Sequence, residues 1–69
     1  MPENLMDGLF SEMNRVREIA EEYDSLPRGA GAFAALSMRF EIRNTETAIK
    51  DNDVIKMMSC YKSLKEYEL

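Results

Sequence analysis

Histidine and tryptophan are absent from this 69-residue chain, which has one cysteine, Cys60, two prolines and three glycines. A lone cysteine forms no internal disulfide. Without histidine, the usual Cys/His zinc sites are excluded. Cys60 also lacks the imidazole that normally activates a nucleophilic thiol, so it reads as a buried structural residue. No apolar run approaches the ~20 residues of a membrane span. The opening Met1-Pro2-Glu3-Asn4 shows no basic region followed by an apolar stretch, so no secretory signal is expected. The chain is therefore expected to be cytoplasmic and not an enzyme, with no catalytic residue, cofactor or metal and no contact with a membrane.

Thirteen acidic and nine basic side chains leave a net charge of −4. Nucleic-acid-binding proteins usually carry a basic excess to neutralise phosphates, so nucleic acid is an unfavoured partner. An arginine patch from Arg15, Arg28, Arg39 and Arg43 is the alternative within that class. A second alternative is an acidic mimic that inhibits a nucleic-acid-binding protein, although the carboxylates alternate with basic residues and dilute the field. Carboxylate neighbours such as Glu21 and Glu22 lie on helix faces as solvating charges, with no partner for acid–base chemistry.

Three amphipathic segments account for almost the whole chain. In the first, Met6, Leu9, Met13, Val16, Ala20 and Tyr23 recur at alternating steps of three and four, one stripe of a helix. Leu5, Phe10 and Ile19 widen that stripe, while Glu12, Arg15, Glu18 and Glu22 define the polar face and Arg17 is set to pair with Glu21. In the second, Ala35, Met38, Ile42 and Ile49 form a row beside Phe33, Leu36 and Phe40, predicting a broad buried face on a central helix. In the third, Val54, Met57, Tyr61 and Leu64 form the seam, thickened by Ile55, Met58 and Cys60. The predicted helices cover about 4–25, 31–50 and 54–67 of one domain, residues 1–69. The fold class is all-α, an antiparallel three-helix arrangement: a long helical hairpin with a shorter third helix.

The two connections carry different chemistry. Pro27 ends the first helix, and Gly29 or Gly31 is expected to take positive φ and reverse the chain. Arg28, Gly29, Ala30 and Gly31 also lead into a helix N-terminus, a weak candidate anion site. Asp51-Asn52-Asp53 lacks the further ligands and glycine of a calcium loop, and reads as a helix stop at Asn52 and an N-cap at Asp53.

A core of this size usually supplies only ~3–5 kcal/mol, and neither disulfide nor metal supplements it. Self-association as a homo-oligomer, most simply a homodimer, is therefore expected. Six methionines fit core filling or an adaptable binding surface. Met57, Met58 and Tyr67 are the candidate interface residues.

Asn14-Arg15-Val16-Arg17-Glu18, Leu26 to Phe33, and Asp53-Val54-Ile55-Lys56-Met57, taken together, resemble a group of small uncharacterised helical proteins of bacteria and prophages. In that group the second turn tends to read Gly-Asp, where this chain has Asn52-Asp53. The resemblance implies three helices and a phage or bacterial setting, and brings no function or site residue. The resulting expectation is a small helical protein-interaction module with an unidentified protein partner.

Overall fold

The computed structural model describes residues 4–68 and contains three α-helices: α1, Leu5–Asp24; α2, Ala32–Lys50; and α3, Val54–Lys65. Each packs on the other two, giving the all-α antiparallel arrangement predicted. Helix ends fall within about two residues of the expected positions, the range over which fraying blurs such limits.

Local chemistry explains each boundary. The Asn4 side chain caps α1 by accepting from the Asp7 amide at 2.8 Å. After Ser25, Leu26 is extended with ψ 142°, as a residue before proline prefers, and Pro27–Gly29 form one 3-10 turn. Arg28 and Gly29 both adopt left-handed geometry, with φ of 61° and 68°. Gly31, by contrast, has φ −102°, and its role is clearance. A Cβ there would lie 2.2 Å from the Tyr23 carbonyl oxygen, so only glycine lets α2 begin against the last turn of α1.

The second turn closes with backbone bonds from Asn52 to the Ile49 carbonyl and from Asp53 to the Ala48 carbonyl, both 3.0 Å. This is a Schellman motif, with Asn52 in the left-handed position at φ 55°. Asp53 then caps α3 by accepting from the Lys56 amide at 3.1 Å. One residue thus ends a helix and the next starts another, as the sequence suggested.

The core is a single cluster between the three helices. It contains Leu9, Met13, Val16, Ile19 and Ala20 of α1, Ala35, Met38, Ile42 and Ala48 of α2, and Met57, Cys60 and Leu64 of α3. Ala20 and Ala35 are fully buried. Gly8 is buried against Tyr61, whose ring edge would lie 3.0 Å from an added Cβ. Thr45, the one buried polar residue among those described, donates its hydroxyl to the Glu41 carbonyl at 2.9 Å.

Half of the broad buried face expected on α2 is on the outside. Phe33, Leu36 and Phe40 are 83%, 66% and 64% exposed. Each lies two residues before a member of the buried row Ala35, Met38 and Ile42. At 3.6 residues per turn, an offset of two is a rotation of about 200°, so the rows occupy opposite faces. Likewise Ile55, two residues before Met57, is 82% exposed, and Val54 and Met58 are exposed beside it. Phe10 is half-exposed, beyond the edge of the α1 stripe.

Candidate interaction surface

The outward face of α2 begins with an aromatic, Phe33, one residue into the helix, and continues one turn at a time through Leu36 and Phe40. These three side chains show on the order of 400 Å² of apolar surface, within the range of the largest patch on a typical monomer. A shallow pocket of about 180 Å³ lies on this face, lined by Leu36, Arg39, Phe40 and Arg43. Its lining is mostly apolar, with Arg39 and Arg43 supplying the charged residues.

Arg39 is held in place by Asp24 at the end of α1. Arg43 has no salt bridge among the described residues. Lys50 lies on the same side of the helix about two turns beyond Arg43. No acidic residue occurs between Leu26 and Phe40, and the carboxylates of α2 are confined to Glu41 and Glu46. Glu46 is engaged by Arg17 of α1 at 3.0 Å. Arg17 therefore bridges two helices instead of pairing with Glu21 within its own.

Other predicted site residues divide between core, scaffold and surface. Met57 is 3% exposed and belongs to the core, so it is not available at an interface. Met58 is exposed on α3, next to Ile55. Tyr67 is half-buried and fastens the chain end: its hydroxyl lies 3.2 Å from Ser37 Oγ, and its carbonyl accepts from Arg15 Nη1 at 2.7 Å. Arg15 also donates to the Leu64 carbonyl at 2.8 Å and bonds Glu12. A residue predicted on the polar face of α1 thus ties the end of α3 and the residues just after it to α1, adding to the bond that the Leu64 carbonyl already accepts from the Tyr67 amide.

Of the four arginines of the alternative patch, Arg15 bonds carbonyls at the end of α3, Arg39 pairs with Asp24 and lines the α2 pocket with Arg43, and Arg28 lies in the first turn. At the candidate anion site, Ala30 donates its amide to the Pro27 carbonyl at 3.2 Å. Gly31 is the N-cap residue of α2 and provides no side-chain cap. The site is thus one exposed arginine beside an ordinary helix N-terminus. Cys60 is a buried free thiol.

No cluster of three or more potential metal ligands occurs among the described residues. No helix there is long and apolar enough to cross a membrane. The outward stripe of α2 was visible in the sequence as a regular apolar row. The missed signal was its two-residue offset from the buried row.

The fold and surface define an all-α three-helix protein with an apolar face left uncovered on its second helix. Comparison with known protein families, curated proteins and solved structures finds no match to this chain.

Proposed function

We propose that the chain is a small helical protein-interaction module acting in the cytoplasm, and that the outward face of α2 is its working surface. The supporting observation is the exposure of Phe33, Leu36 and Phe40 at regular helical spacing, opposite a complete core. A helix that needed only to fold would carry polar residues there, because exposed apolar stripes invite aggregation and are retained at binding surfaces. Their spacing is that of helix-in-groove anchors. The phage or bacterial setting implied by the sequence resemblance belongs to this reading.

Self-association is the second reading, favoured by a separate exposed group at the start of α3, Val54, Ile55 and Met58. Together with the small core, that group gives a homodimer a surface distinct from α2.

Site-specific photo-crosslinking in the host tests the principal reading. A benzophenone side chain at Phe33 or Phe40 is expected to give discrete protein adducts. The same group at Glu18, on the outward face of α1, is expected to give none. Adduct patterns that are alike at all three positions would contradict an interaction surface on α2.

A further inference from the structure

We infer that the partner seated on α2 is an acidic amphipathic helix, one of whose large apolar side chains enters the pocket between Leu36 and Phe40 while a carboxylate one turn away meets Arg43. This rests on the reading of α2 as the working surface and adds the chemistry of the occupant.

Charge carries the choice. The chain as a whole is acidic at −4, yet the α2 stripe is bordered by Arg39 and Arg43, with no carboxylate from Leu26 to Phe40; Glu41 and Glu46 follow it, and Glu46 is engaged by Arg17. Arg39, which lines the pocket, is pinned by Asp24. Arg43 also lines it and has no salt bridge among the described residues. A guanidinium presents several donors in a plane matched to a carboxylate, so Arg43 is suited to an acidic partner.

A second copy placed α2 against α2 fits poorly. In an antiparallel pair centred on Leu36 and Ser37, Arg43 would face Ala30 and the positive end of the other helix near Arg28, in a stretch that carries no carboxylate from Leu26 to Phe40. A parallel pair would set Arg43 against Arg43. The stripe also offers on the order of 400 Å², about half of the ~800 Å² per partner of a standard interface. An anionic membrane also attracts basic amphipathic faces. Here the negative net charge opposes approach to it, and only three apolar residues are offered for insertion.

The test titrates the full-length chain, labelled with ¹⁵N, with synthetic helical peptides. One carries leucines at i, i+3 and i+7 flanked by glutamates; the control replaces every glutamate with lysine. The acidic peptide is expected to saturate, with amide shifts centred on residues 33–43, and to weaken as salt rises. Arg43→Glu is expected to reduce its affinity by about fivefold or more and to strengthen the lysine peptide. Circular dichroism of the variant checks that the fold is retained.

Equal binding of both peptides, or shifts centred on other residues, would overturn the inference. It would also fall if vesicles of phosphatidylserine shifted residues 33–43 while the acidic peptide did not. Concentration-dependent dimerisation that protects the same residues would replace the acidic helix with a second copy. Photo-crosslinks from Phe33 combined with no preference for the acidic peptide would leave the α2 surface standing and remove only its acidic partner.

Discussion

The two long helices, α1 and α2, are of nearly equal length at 20 and 19 residues, and each buries one stripe in the same core. They differ in what they show to solvent. The outward side of α1 carries Asp7, Asn14, Glu18, Glu21 and Glu22, with Phe10 the only large apolar residue half exposed there. On α2 the outward side carries Phe33, Leu36 and Phe40. Both helices meet the demands of the core with five or six buried residues. The apolar surplus on α2 therefore cannot be assigned to folding. In a chain this short, a helix with two apolar rows must leave one outside, because two neighbouring helices cover only part of its circumference.

The contrast is broken most severely by filling the space where the two helices meet. Gly31→Ala places a methyl group 2.2 Å from the Tyr23 carbonyl oxygen, with backbone as the obstacle. A loss of about 3 kcal/mol or more is expected in urea unfolding, at the upper end of overpacking costs. Met38→Ala, on the inward side of α2, removes a side chain that is 3% exposed, and a loss of about 2–5 kcal/mol is expected. Arg15→Ala removes the bonds to the Leu64 and Tyr67 carbonyls from a side chain about two-fifths exposed. A loss of about 1 kcal/mol is expected, with faster amide exchange at the end of α3.

The smallest effect sharpens the comparison. Phe40→Ser on the outward side of α2 is expected to move stability by no more than about 0.5 kcal/mol, the usual range for a surface position. Thermal and urea unfolding of Met38→Ala and Phe40→Ser measure the difference between the two faces of one helix. Comparable losses would mean that the outward face is covered in solution.

Much of this was legible in the sequence because it rests on local rules. The alternating steps of three and four along α1 place Leu9, Met13, Val16 and Ala20 in the core as predicted. Asn52 and Asp53 adopt the stop and cap geometries that their side chains favour. The left-handed Arg28 was not predicted, since a bulky residue there runs against intrinsic preference and is held by the turn around it. The long-range roles of Arg15 and Arg17 were also out of reach. Helix periodicity placed both on polar faces, but only the packing of α3 and α2 beside α1 supplies their acceptors. The exposed apolar face of α2 was half legible: its residues formed a visible row, while their angle to the buried row required counting the helical turn.

Solvent paramagnetic relaxation enhancement on the free chain measures the two faces of α2 directly. Side-chain signals of Phe33, Leu36 and Phe40 are expected to broaden strongly with a soluble gadolinium probe, while those of Ala35, Met38 and Ile42 stay sharp. Equal protection of both sets would contradict an uncovered apolar face on α2.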